Sequence, residues 1–157
     1  MSWKKEVEQL TRKRKLAHKQ GGDTGVSLQH AKGLLTIRER ITTLLDSGSF
    51  EELGSIAGQS SYDKQGNLSE FTPSNYVLGF GTIGSRPCIV GGEDFTLKGG
   101  SPNAAGLRKS VYAEELACAY RLPLIRLHQG AGGSVAGASQ TTTVGSAVNA
   151  KSCTFSA

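Results

Sequence analysis

"YVLGFGTIGSRPCIVGGEDF", residues 76–95, decides the fold. Two runs rich in β-branched and aromatic residues flank Gly84-Ser85, a composition that predicts antiparallel strands joined by a two-residue turn. A sheet begins there. Downstream, "LRKSVYAEELACAYR" (107–121) places Val111, Leu116 and Ala119 at helical spacing, Pro123 closes that helix, and "LPLIRLHQ" (122–129) predicts a short buried strand. Strand, strand, helix, strand is the order of an α/β chain. Between the hairpin and the helix, "TLKGGSPNAAG" (96–106) predicts a glycine-rich loop.

Upstream the texture is helical. Residues 2–19 predict a helix capped by Ser2 and stopped near "QGG" (20–22), and "GDTGVSLQHAKG" (22–33) reads as a polar connector. In "LLTIRERITTLLDSGSF" (34–50), Leu34, Ile37, Ile41, Leu44 and Leu45 share one stripe, predicting a second amphipathic helix that ends near Asp46 to Gly48. "QSSYDKQGNLSEFTPSN" (59–75) is polar and turn-forming, hence a surface loop.

A chain of 157 residues supports one core, and 21 glycines commit much of it to turns. The formal charge of +5 is concentrated in "KKEVEQLTRKRKLAHK" (4–19). Without interleaved aromatic residues to stack on bases, nucleic acid is not the expected partner; the segment reads as a solvated or interface helix, an anionic-ligand surface or a presequence. No run has the length of a membrane helix and the N-terminus lacks a secretory core, so the expected location is cytoplasmic or the mitochondrial matrix. Cys88, Cys118 and Cys153 lie outside any CxxC pair, and no metal site is expected.

The strand at 122–129 runs straight into "GAGGSVAG" (130–137). A phosphate loop would need a lysine that is missing, and GxGxxG would need glycine where Val135 stands. "GGSVA" approaches a nucleophile elbow with Ser134 exposed, yet His128 stands too close along the chain to turn back as its base. Two readings of Gly132 and Gly133 stay open beside that serine: bare N–H groups facing an oxygen that becomes negative during reaction, or a tight packing turn.

Three separated stretches, "QHAKGLLTIRERITTLLDSGSFEELG", "YVLGFGTIGSRPCIVGGEDFTLKGGS" and "LACAYRLPLIRLHQGAGGSV", occur here in the order found in one family. The chain resembles the N-terminal part of the carboxyltransferase (beta) subunits of biotin-dependent acyl-CoA carboxylases, of the propionyl-CoA and methylcrotonyl-CoA carboxylase type, over residues 3 to about 139. The resemblance implies an α/β, crotonase-like (ClpP-type) superhelix of β-β-α units, incomplete here and preceded by N-terminal helices. It implies a helical region at 1–48, the start of the acyl-CoA carboxyltransferase N-terminal domain at 49–139 and a divergent, irregular tail at 140–157.

The implied function is transfer of a carboxyl group from carboxybiotin to the α- or vinylogous carbon of an acyl-CoA, through an enolate. Gly132 and Gly133 match the glycine pair whose N–H groups hold the enolate oxygen. Lys98, Gly99, Gly100 and Ser101 match a loop lining the acyl-CoA site, and Lys109 stands where a cation meets CoA phosphate or, equally, solvent. Biotin on a carrier is the implied cofactor, and a biotin carboxylase or carrier subunit, acyl-CoA and further copies of the chain are the implied partners. Because the family's chains are longer, a truncated, non-catalytic piece that associates with carboxylase subunits is the expected alternative, with a serine hydrolase using Ser134 behind it.

Overall fold

The computed structural model describes residues 3–101 and 103–130. Helix α1 (Lys4–His18) leads into α2 (Gly22–Ala31) and α3 (Ile37–Leu44). There follow strands β1 (Glu51–Glu52), β2 (Gly58–Tyr62), β3 (Leu68–Pro73), β4 (Tyr76–Ile83) and β5 (Arg86–Glu93). A single 3-10 turn at Lys98–Gly100 precedes α4 (Ala104–Tyr120), and β6 (Leu124–Leu127) follows it.

Among the described residues, one sheet has the order β1-β4-β5-β6, and β2 pairs with β3 alone. The β4–β5 hairpin is antiparallel from Tyr76↔Glu93 to Ile83↔Arg86. Its turn takes positive φ at both central residues, Gly84 (+55°) and Ser85 (+64°), which matches the twist of the strands it joins. Asp46, just after α3, fixes that turn by accepting from Thr82 Oγ1 (2.6 Å), Gly84 N (2.9 Å) and Ser85 N (2.8 Å). These hydrogen bonds, Thr82's first, hold the Asp46 carboxyl below its ordinary pKa.

Strand β6 lies parallel to β5, and α4 supplies the crossover that parallel pairing needs. The sheet is covered on both faces, which explains why β4 and β5 read as apolar runs rather than alternating ones. On one face Ile37, Ile41 and Leu45 pack with Val77, Cys88 and Val90; on the other Ala113 and Leu116 of α4 pack with Tyr76, Leu78 and Ile89. Leu78, Ile89 and Val90 are fully buried, each contributing about 1.5–3 kcal/mol of burial.

Five readings of the sequence are corrected by the fold. Residues 58–73 form a hairpin, not a loop, and its Leu68 and Phe71 bury against Leu16 and Ala17 of α1. Residues 22–31 form a helix, not a connector, because a Cβ at Gly21 would fall 2.0 Å from the Thr96 carbonyl oxygen; only glycine lets this segment approach so closely. In α4 the buried stripe is Gly106, Lys109, Ala113 and Leu116, while Ala119 is exposed. Leu34 precedes α3 and is 45% exposed, and β6 is half-buried, standing at the edge of the sheet among the described residues. No helix among the described residues is long and apolar enough to cross a membrane.

Candidate functional site

The carboxyl end of β5 divides into two anchors. Asp94, 2% exposed, accepts from Thr96 N (3.0 Å) and Thr96 Oγ1 (2.5 Å), and Thr96 Oγ1 accepts in turn from Gly21 N (2.8 Å). Burial raises the Asp94 pKa, against the two hydrogen bonds from Thr96 that lower it. Glu93 faces the other way, toward the exit of β6, and accepts from His128 Nδ1 (3.0 Å) and Gln129 N (3.4 Å). One strand end thus holds both segments that the sequence singles out.

The segment beyond Asp94 is the "KGGS" turn. Lys98, Gly99 and Gly100 take φ of +50°, +62° and +76°, three left-handed residues in succession, of which lysine is the strained one. The 97–103 segment is closed from below by Asn75, which is 3% exposed: its Nδ2 donates to the Ser101 carbonyl (2.6 Å) and its Oδ1 accepts from Asn103 N (3.1 Å). Asn103 then caps α4, its Oδ1 accepting from Gly106 N at 2.7 Å. The turn and the start of the helix are one hydrogen-bonded unit.

Above that unit lies an open cavity of about 320 Å³ between the β2–β3 hairpin and the first turns of α4. Lys98, Ser101, Asn103 and Arg108 contribute polar groups to its wall, and among the described residues its charged lining is Lys98 and Arg108, both cationic. The N-terminus of α4 adds the positive end of its dipole. The chemistry of such an arrangement suits an anionic group such as a phosphate.

Lys109 is elsewhere. It is 8% exposed and lies on the inner side of α4, with Nζ donating to the Gly54 carbonyl at 3.4 Å. Burial lowers its pKa to about 8; the Glu52 carboxylate opposes that shift and Arg38 adds to it. Glu52 is itself engaged by a bidentate pair from Arg38, at 2.8 and 3.0 Å. The expectation of a phosphate-facing or solvated Lys109 is therefore corrected, and Arg108 is the cation that sequence reasoning missed. The spacing carries the signal: Lys109 stands three residues after Gly106 and four before Ala113, on the stripe that meets the sheet, and Arg108 does not.

Gly132, Gly133 and Ser134, with the 140–157 tail, lie outside the described residues. What is described is their approach. β6 delivers the chain at the carboxyl end of the parallel pair, the edge at which open α/β sheets bind ligands. Among the described residues no group of His, Cys, Asp and Glu is arranged to hold a metal ion.

Comparison with known proteins gives consistent findings. The family described as "Carboxyl transferase domain" matches residues 28–153. The chain is 40% identical over 116 residues to the biotin-dependent acetyl-/propionyl-coenzyme A carboxylase beta5 subunit of Mycobacterium tuberculosis, covering 73% of this chain and 21% of that one. It is 34% identical over 131 residues to the propionyl-CoA carboxylase beta chain of Roseobacter denitrificans, covering 82% and 25%. A solved structure of the transcarboxylase 12S hexamer, with methylmalonyl-coenzyme A and methylmalonic acid bound, superimposes with a TM-score of 0.71 at 31% identity, covering 86% of this chain and 26% of that one. The chain thus spans between a fifth and about a quarter of the length of these relatives. Its fold is the crotonase-like α/β fold of these carboxyltransferases.

Proposed function

Because the chain belongs to the carboxyl transferase domain family, we propose that it is the acyl-CoA-binding part of a biotin-dependent acyl-CoA carboxyltransferase. The observation that carries this reading is the cavity at the start of α4, where Lys98, Arg108 and the helix N-terminus set positive potential in a wall whose described lining carries no acid. Coenzyme A is a polyanion with three phosphates' worth of charge at one end, and it fits that chemistry. Carboxybiotin on a carrier protein enters as second substrate, supplying the carboxyl group and the base for the α-proton.

Each part of the chain then has a task. Lys98 and Arg108 hold CoA phosphate; Lys98, an exposed residue of the turn at 98–100, is among those that line the cavity. Gly132 and Gly133 present N–H groups to the thioester oxygen, which gains negative charge as the α-proton leaves, and two such donors in a site shielded from water stabilise that charge. In balance, the N–C bond of carboxybiotin breaks to release carbon dioxide, the freed ureido nitrogen takes the α-proton, and the enolate carbon attacks carbon dioxide, leaving biotin on its carrier and a carboxyacyl-CoA. Substrate and further copies of this chain are read from the relatives, among which the 12S protein is hexameric.

The test is transfer of labelled carboxylate. The chain is incubated with propionyl-CoA and a carrier protein bearing ¹⁴C-carboxybiotin, and acid-stable label in the CoA ester is counted. Label that appears only with the chain present supports the reading. Label equal to the chain-free control contradicts it.

A further inference from the structure

Helix α1 stands partly apart from the rest of the fold. The family match begins at residue 28, so Lys4–His18 precedes the shared domain. The later turns of α1 are seated on the β2–β3 hairpin: Leu16 and Ala17 pack against Leu68 and Phe71, Arg12 Nη1 donates to the Leu68 carbonyl (2.9 Å), and Lys13 Nζ donates to Tyr62 Oη (2.8 Å). Its first turns leave their apolar side chains open. Trp3, which immediately precedes the helix, is 72% exposed, Val7 57% and Leu10 42%, and their spacing of four and then three residues sets them on one line along the helix.

Two features of that line decide what it fits. Apolar residues repeating at four and three residues form the seam by which one helix packs along another, and tryptophan is prominent among the residues that carry binding energy at interfaces. The next position on the line is Arg14, exposed and, like Lys4, Lys5 and Lys15, in no ion pair among the described residues. A bilayer would have to bury that guanidinium or lose the end of an already short apolar line. A facing helix can meet it with a carboxylate, the pairing that sets partner and register between helices. Arg12 and Lys13 are engaged by the hairpin, and the remaining cations outnumber Glu6 and Glu8, so the face is positive and its complement is acidic.

We propose that the line of Trp3, Val7, Leu10 and Arg14 is a docking surface for an acidic amphipathic helix of another protein. The partner's apolar seam covers Trp3, Val7 and Leu10, its carboxylates face Arg14, and Lys4, Lys5 and Lys15 form the wet, charged rim. This surface shares no residue with the cavity at the start of α4, so it stands whatever ligand that cavity takes.

Trp3 is the chain's single tryptophan, so its fluorescence reads this surface directly in the full chain. The probe is a synthetic helical peptide of about three heptads with Leu at a and d and Glu at e and g, compared with the same peptide carrying Lys in place of Glu. The expected result is a saturable blue shift of Trp3 emission and reduced acrylamide quenching with the Glu peptide alone. Affinity should fall about tenfold or more in Arg14→Glu, and likewise when Val7→Ser and Leu10→Ser are combined, with the melting temperature unchanged because these side chains are exposed. No shift with the Glu peptide overturns the proposal, as does an equal shift with the Lys peptide or full affinity in Arg14→Glu. A shift with phosphatidylserine vesicles but not with the Glu peptide overturns it in favour of a lipid surface. A shift that grows with the chain's own concentration, and to which the Glu peptide adds nothing, overturns it in favour of a second copy.

Discussion

Lys109 and Gly54 meet at 3.4 Å, an ammonium on the carbonyl that follows β1, inside the contact between α4 and the sheet. The lysine is an expensive way to fill that place, since its pKa of about 8 against 10.5 records the cost of keeping its charge there.

Replacing it should therefore stabilise the fold. Lys109→Met keeps the volume, removes the charge and gives up one long hydrogen bond, for an expected gain on the order of 1–3 kcal/mol at pH 7. The sign in pH follows from the lowered folded-state pKa. Between about pH 8 and 10.5 the unfolded chain still binds the proton that the folded chain has lost, so this group's penalty is full below pH 8 and fades as pH rises to 10.5. Urea midpoints of both proteins across pH 7–10 should converge from a gap at the acid end. Parallel curves, or a variant less stable at pH 7, would show that the ammonium is a favourable contact.

Lys98 stores strain of the opposite use. Its φ of +50° suits glycine, so Lys98→Gly should raise stability by about 1 kcal/mol in a denaturant melt. The same change removes a cation from the cavity wall and should weaken propionyl-CoA binding. A variant that is more stable and binds equally well would dissociate Lys98 from the ligand.

The hairpin at 84–85 should be acid-sensitive through Asp46. Because its carboxyl titrates below the ordinary value of 3.8, its contribution is complete above that value and is lost as pH falls through the lower one. Asp46→Ala should lower the melting temperature at pH 7 and shrink the difference from the unaltered chain as pH falls below 3.8. An identical melting temperature at pH 7 would mean that Thr82, Gly84 and Ser85 hold the turn unaided.

In "GAGGSV", backbone and side chain separate cleanly. Ser134→Ala should leave most carboxyl transfer intact, whereas Gly133→Pro removes an N–H donor and should lower turnover about 10² to 10³ with acyl-CoA binding largely preserved. The reverse pattern would return Ser134 to the role of nucleophile.

The sheet was legible because β4 and β5 are buried on both faces and joined by Gly84-Ser85, signals that need no tertiary knowledge. The β2–β3 hairpin was not. Only Leu68 and Phe71 mark its inner face among polar residues, and their burial depends on α1, a helix far away in sequence. Likewise α2 is poor in strong helix formers, and what seats it is the close approach of Gly21 to Thr96 across 75 residues. In the candidate region the glycine-rich turn at 98–100 is legible from composition, whereas the sequence alone leaves Lys109 as a cation for CoA phosphate or for solvent and does not announce its burial. Two adjacent basic residues on one helix differ only in which side meets the sheet, and that became visible once Gly106 and Ala113 were seen to be buried.

The account stands most directly on whether the cavity at the start of α4 takes an acyl-CoA. Calorimetric titration of the folded chain with propionyl-CoA, at low and at 0.5 M salt, should show saturable binding that weakens with salt, as phosphate contacts require. Arg108→Glu should weaken that binding at least tenfold without altering the melting temperature, and Lys109→Met should leave it unchanged. No heat for propionyl-CoA, or full affinity in Arg108→Glu, would contradict the assignment.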